Sequence, residues 1–333
     1  MTQYIEENIE EKQRYNHLAG IVPIAGRALD FGMPWHDSLM PIDQYLNLAE
    51  SAIINCAWMG CDTIWVVVNE DVSPLLRKRI GDSIKDPVGW DKMGQGFSWR
   101  WYRPRRREIP IYYVRTNPVD FDKRDSISYS VLHGARISSK ICTSLTRWVT
   151  PERFFISWPY CVYDAEELSK RYRKEIKSSK SSYIFSDGVD SIKTTFLPAI
   201  LSPRILNKAR EAVHANSSGV EILEQFDVDK KWWRLKDSGG NLRFPKMNRK
   251  LKASERDSAR WHHPKDVFGF IEEEELDIKM LHLEEFHLIK SWDSYRKFLS
   301  SGFEFTEEYN IIRYNETGPV GYTFDELEKA IEE

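Results

Sequence analysis

Cysteine is scarce. Four thiols in 333 residues, Cys56, Cys61, Cys142 and Cys161, are too few and too unevenly placed for a disulfide framework or a zinc ribbon. Cys56 and Cys61 fall in an apolar, helix-like run with no Cys or His at zinc spacing after them, which reads as buried, reduced thiols of a cytoplasmic protein. No stretch approaches the ~18 apolar residues that a membrane span needs, and residues 1–17, MTQYIEENIEEKQRYNH, lack the apolar core of a secretory signal. Charge of one sign is also missing: 48 Lys and Arg stand against 51 Asp and Glu, a net charge of −3. A generic polyanion binder would be strongly basic. Low complexity is confined to Ser-Ser-Lys-Ser-Ser at 178–182, which a surface loop explains, and there is no internal repeat. What is present is 41% apolar and 13% aromatic, far too rich for disorder, at a mean hydropathy of −0.53. The chain reads as one large or two ordinary globular domains.

Strands and helices alternate along its first half. Residues 18–24 (LAGIVPI) form a short apolar run ending in Ala25-Gly26, as a buried strand does on entering a turn. Residues 38–61 carry apolar side chains at helical spacing, with Asp43 placed to cap the start and Gly60 to close the end. A β-branched run at 62–69 predicts a strand buried on both faces, and Ser73-Pro74 opens a helix over 75–80. After an aperiodic excursion at 86–108, residues 109–114 predict a third strand, moved towards an edge or a bulge by Pro110. Helix 126–145, strand 153–162 and helix 165–177 follow. This order predicts an α/β fold, a three-layer α/β/α sandwich with a mostly parallel, mixed sheet. Ligands of such sheets sit at the carboxyl ends of the strands.

The second half is less regular. Residues 196–205 predict a strand feeding a helix at 206–213, with further helices at 221–228, 292–299 and 323–333 and an alternating segment at 280–289. Residues 229–262 show no period. The expected organisation is a polar leader at 1–17, an α/β core at 18–215 with the Arg- and Trp-rich insertion 86–108, and a C-terminal extension at 216–333 packed on the core. Trp232, Trp233 and Trp292 are expected to pack that extension against the sheet.

The informative segment is 21–42, IVPIAGRALDFGMPWHDSLMPI. A buried strand ends in a small-residue turn, a loop follows, and Pro precedes the next element. Backbone N–H groups and Arg27 are thereby placed where a phosphate can be cradled. The pattern resembles the sugar nucleotidyltransferases, the nucleoside-diphosphate-sugar pyrophosphorylases of the GT-A-like fold. Their signature is an apolar strand, small-Gly-x-Gly-Thr-Arg, a variable stretch with Pro, and Lys-Pro-Leu-x-Pro-Ile. Ala25-Gly26-Arg27-Ala28 lies on the first element and Ser38-Leu39-Met40-Pro41-Ile42 on the second. Weaker likenesses at 49–69, 128–135, 153–164 and 196–206 extend it, patchily, over roughly two hundred residues.

The resemblance implies a transferase that moves a nucleoside monophosphate onto a sugar phosphate with Mg²⁺ or Mn²⁺. It implies that Ala25, Gly26 and Arg27 meet the phosphates and that Ser126 and Ser128 lie near the base. His36, between Trp35 and Asp37, is a candidate pocket residue. Asn69, after the second strand, can meet the base or cap a helix. Two departures bear on the chemistry: the family's loop Arg falls on Asp30, and its Lys falls on Asp37. Arg27, displaced by three residues, and Asp37 are the candidate catalytic positions. A metal would rest on Asp164, the carboxylate nearest the end of the fourth strand, or on Asp30 together with Asp37. Two further readings share the fold: a GT-A-type glycosyltransferase using a nucleotide sugar, and a catalytically inactive descendant with a binding role. Arg100, Arg103, Arg105, Arg106 and Arg107, interleaved with Trp101 and Tyr102, could instead track a nucleic-acid backbone while the aromatics stack on bases. The alternative for that run is an exposed, solvated hairpin tip. His262, His263, His282 and His287 read as ordinary half-buried histidines, and His133 as a helix-packing one. No P-loop or Ser-His-Asp spacing is present.

Overall fold

The computed structural model describes residues 17–25, 31, 33, 35–70, 72–88, 108–115, 127–145, 150–218, 235–236, 242–243, 263–271 and 278–305. In chain order the strands are β1 (Leu18–Pro23), β2 (Pro41–Asp43), β3 (Leu46–Asn47), β4 (Thr63–Val68), β5 (Ser83–Lys85), β6 (Glu108–Arg115), β7 (Arg153–Ile156), β8 (Cys161–Val162), β9 (Ser182–Ser186), β10 (Ala199–Leu201), β11 (Leu235–Lys236), β12 (Leu242–Arg243), β13 (Ile278–His282) and β14 (His287–Leu288). The α-helices are α1 (Leu48–Trp58), α2 (Ser73–Ile80), α3 (Ile127–Leu145), α4 (Ala165–Ser178), α5 (Pro203–Ser218), α6 (Pro264–Phe268) and α7 (Trp292–Leu299). A 3₁₀ turn covers Asp37–Leu39.

Eight strands make one sheet in the order β13-β9-β10-β7-β1-β4-β6-β5. β13, β9, β7, β1, β4 and β6 run in one direction; β10 and β5 oppose it. The sheet is therefore mixed and mostly parallel. β1 lies between β4 and β7, and β1, β4 and β7 are buried almost throughout, which is why their sequences are continuous apolar runs. Helices cover both faces. Successive residues of a strand point to opposite faces. A Cβ on Gly20 would lie 2.7 Å from Cys56 Sγ on α1, while a Cβ on Gly134 of α3 would lie 3.2 Å from Ile21 Cγ2. α4 shares the α1 face, with Tyr172 edge-on to Phe185 of β9. The three-layer α/β/α expectation holds.

Several local expectations do not. Residues 38–61 are not one helix: the 3₁₀ turn and the β2–β3 hairpin occupy the first part, and α1 begins at Leu48. Its cap is Asn47, not Asp43, in a reciprocal pair: Glu50 N donates to Asn47 Oδ1 at 2.9 Å and Asn47 N to Glu50 Oε2 at 3.1 Å. Gly60 does follow that helix, at φ 74°. β6 is not an edge strand, because the short β5 pairs outside it and Pro110 sits opposite Ser83. The run 153–162 is two strands, β7 and then β8, which leaves the sheet to pair with β14. Residues 280–289 likewise divide between β13 and β14, so His282 and His287 belong to different strand pairings. β9 follows directly on the Ser-rich stretch and has no counterpart among the expected elements. None of the four cysteines forms a disulfide, and all are buried. No described helix is long and apolar enough to cross a membrane. The expected helices at 221–228 and 323–333, and Trp232 and Trp233, lie outside the described residues.

Candidate functional site at the carboxyl edge of the sheet

The strand order fixes where a ligand can enter. From β1 the chain moves outward on one side, to β4 and then β6; β7 then returns to the other side of β1. The crevice between the carboxyl ends of β1 and β7 is thus the point where the winding reverses, the position that open α/β sheets use for ligands.

The end of β1 turns sharply there. Ile24 N and Ala25 N both donate to the carbonyl of Val67 on β4, at 2.7 and 2.8 Å. Ser130 Oγ, in the first turn of α3, donates to the carbonyl of Ala25 at 3.1 Å. That bond ties the start of a 19-residue helix to the end of β1. Ser128 lies in the same turn, fully buried. Gly26, Arg27 and Asp30 continue from Ala25 but lie outside the described residues, as do Ser126 and Arg100, Arg103, Arg105, Arg106 and Arg107. On the other wall, Ser157 N donates to the carbonyl of Ile21 at 3.0 Å, extending the β7–β1 ladder by one residue. The Ser157 hydroxyl is buried and makes no hydrogen bond among the described residues. Trp158 turns into the core, its Nε1 donating to the carbonyl of Leu197 at 2.9 Å.

The loop towards α1 brings His36, Asp37 and Ser38 together, all buried. His36 Nδ1 accepts from Ser38 N at 3.2 Å and has Ser38 Oγ 2.8 Å away, which fixes the ring orientation. Asn69 stands at the end of β4, where its carbonyl accepts from Val72 N and Ser73 N and starts α2. Beside it Glu70, two residues past β4, and Arg115, the last residue of β6, form an exposed ion pair at 3.6 Å. Asp164 is separated from β7 by β8 and serves as the N-cap of α4, its Oδ1 accepting from Glu167 N at 3.0 Å. At the next parallel strand, Asp187 accepts from Asp190 N at 2.6 Å and Val189 N at 2.9 Å, and these bonds hold its carboxyl below the ordinary range. No group of three metal-ligating side chains is present among the described residues.

The C-terminal segment closes one side of this edge, which the sequence did not signal. Trp292 Nε1 donates to the carbonyl of Phe31 at 3.1 Å, and Tyr295 Oη to the carbonyl of Pro41 at 2.5 Å. Trp292 therefore packs on the first loop and not against the sheet. Ser130 and Ser157 were also missed, since neither stands out locally; only the strand order and the helix position give them a place at the crevice.

No family profile and no curated protein sequence matches the chain. Its fold is similar to that of solved structures. One is Rv0371c from Mycobacterium tuberculosis H37Rv, 12% identical over 86% of this chain and 100% of that one, with a TM-score of 0.42; a manganese complex of Rv0371c is similar too. A second is a Bacillus anthracis protein described as a glucose-1-phosphate thymidylyltransferase, in complex with a sucrose, 8% identical over 88% and 99% of the two chains, TM-score 0.46. A third is a UDP-glucose pyrophosphorylase complexed with UDP-glucose, 14% identical over 59% and 80%, TM-score 0.37. At these identities the likeness is one of chain path, and the chemistry rests on this chain's own residues.

Proposed function

We propose that the protein binds a nucleoside triphosphate or nucleotide sugar across the β1/β7 crevice and acts as a divergent nucleotidyltransferase. In that reaction an oxygen of a sugar phosphate attacks the α-phosphorus of the triphosphate, and the bond to pyrophosphate breaks. The observation that carries the reading is the meeting, at the reversal point of the sheet, of the β1 turn with the first turn of α3 through the Ser130–Ala25 bond. The partial positive charge of a helix start favours a phosphate there. Gly26 and Arg27 follow Ala25 directly, so Arg27 is the candidate cation for the phosphates, and Ser128 and Asn69 border the same edge.

Mg²⁺ or Mn²⁺ fits the described residues only in part. Asp164 already caps α4 through one oxygen, Asp37 lies on the 3₁₀ turn before β2, and Asp30 completes the candidate set from outside the described residues. A second reading, binding without turnover, is favoured by the neutral Ser157 at the end of β7, where a carboxylate would serve to hold a cation.

The test is a thermal-shift series on the full chain with nucleoside triphosphates and nucleotide sugars, with and without Mg²⁺ or Mn²⁺, repeated on Arg27→Ala. A ligand at ~100 times its Kd adds about 2.7 kcal/mol to the native state. That corresponds to roughly 4 °C for a chain of this size. The expected result is such a shift with at least one nucleotide, lost in Arg27→Ala. A flat series, or a shift untouched by the substitution, contradicts the proposal.

A further inference from the structure

Trp292 is half exposed, 45%, yet it is held in one orientation. Its indole N–H is engaged inward by the Phe31 carbonyl, Phe31 meets it edge-on at 5.3 Å and 83°, and Tyr295 meets it at 6.0 Å and 67°. An exposed tryptophan ordinarily turns its polar tip to water and hides its carbon face. Here the tip is buried in a bond and the carbon surface is left outside. Core packing does not require this, because Trp65 and Trp158 fill the interior and Trp292 contributes only part of its area.

The position is specific. Phe31 and Pro41, the two anchor points of α7, bracket the loop that carries Trp35, 51% exposed, together with His36 and Asp37. Arg296 lies one helical turn from Trp292 on the same face of α7 and pairs with Asp293 at 4.0 Å, both strongly exposed. An exposed carbon surface with a donor one helical turn away, and an acceptor paired with that donor, suits a ring that has one C–H face and a rim of hydroxyls.

We propose that Trp292 is a stacking platform for the sugar ring of a nucleotide sugar or sugar phosphate, with Arg296 and Asp293 as hydroxyl partners. The inference rests on the nucleotide-sugar reading above and adds to it where the sugar lies. The ring stacks without conformational adjustment of the indole, so little side-chain entropy is lost on binding.

The experiment measures affinities of the full chain for UDP-, dTDP-, GDP- and ADP-glucose and for the matching nucleoside diphosphates by calorimetric titration, on wild type, Trp292→Phe and Trp292→Ala. For the pair that binds wild type, Trp292→Ala is expected to weaken the nucleotide sugar about five- to tenfold, in line with the worth of one ring stack. The diphosphate alone should change less than about twofold, and Trp292→Phe should restore most of the loss. Equal weakening of both ligands assigns Trp292 to base stacking or to holding the loop, and overturns the sugar platform. An unchanged Trp292→Ala overturns it as well, and a shift of sedimentation towards the monomer in that variant assigns the face to a second copy. If no nucleotide sugar binds wild type, the nucleotide-sugar reading itself fails, and the platform with it.

Discussion

Gly20 illustrates how single residues set the sheet. It faces α1 where any side chain would meet Cys56, the Cβ position lying 2.7 Å from Sγ and 2.9 Å from Cβ of that residue. Gly20→Ala is expected to lower stability by about 1–3 kcal/mol in denaturant titration, as overpacking does; no loss would mean that α1 sits farther from β1. Ser157 makes the opposite case. A buried hydroxyl without a partner among the described residues costs free energy in the folded chain. Ser157→Ala should therefore be neutral or stabilising by up to about 1 kcal/mol, while nucleotide affinity falls if the crevice ligand meets the hydroxyl. A variant that is destabilised and binds normally would remove Ser157 from the site. Arg153 is a buried cation of structural use: it donates to the carbonyls of Ile176 at 2.7 Å and Ser181 at 3.3 Å, closing the end of α4. Desolvation lowers its pKa.

At the scale of elements, α1 depends on its cap and on one charge pair. Glu50 is buried in its first turn, bonded to Asn47 N and to the Arg79 guanidinium of α2, with Arg79 Nη2 3.1 Å from Oε2. Asn47→Ala is expected to cost about 1 kcal/mol in thermal or urea unfolding. Glu50→Ala should cost more, because it removes the bonds to Arg79 as well as its half of the cap; equal effects would show that the ion pair contributes nothing. The same elements show what the sequence could reveal. β1, β4, α4 and α7 were legible because each has one unbroken period: continuous apolar for the buried strands, helical spacing for the helices. The β2–β3 hairpin was not, because Ile42 and Leu46, four residues apart, satisfy a helical spacing as well as an alternation, and Asp43 resembles a cap. The signal that decides is the Asn47–Glu50 pair. β8 and β14 were hidden because each is two residues long and exists only through the other. At the site, the β1 turn was readable from Ala25-Gly26. The Trp292–Phe31 contact spans 261 residues, and no local pattern encodes it.

Across the whole molecule, the C-terminal segment ties the first loop to the middle of the chain: β13 extends the main sheet beside β9, β14 pairs with β8, and α7 seats on the first loop. Its attachment should respond to acid. His287 is packed between Phe298 and Phe303, at 5.3 and 5.6 Å, and burial lowers its pKa below 6.5, partly offset by Glu285; burial likewise lowers His263. With the folded values depressed, the unfolded chain binds more protons just below pH 6.5, so stability is full above that pH and falls on acidification. The lowered carboxyls of Asp187 and Glu284 act in the same direction at lower pH, Glu284 through its bond to Arg171. Melting temperature should drop between pH 7 and 5, and His287→Phe should flatten part of that slope; a Tm that rises over this interval would contradict the assignment. Where the ligand sits is the larger matter, and hydrogen exchange of the full chain with and without the nucleotide that gives the greatest thermal shift addresses it directly. The β1/β7 site predicts added protection in peptides covering 19–25, 127–131 and 155–158, with the outer strands β5 and β13 unchanged; protection confined to the outer strands, with the crevice peptides unaltered, would place the ligand elsewhere.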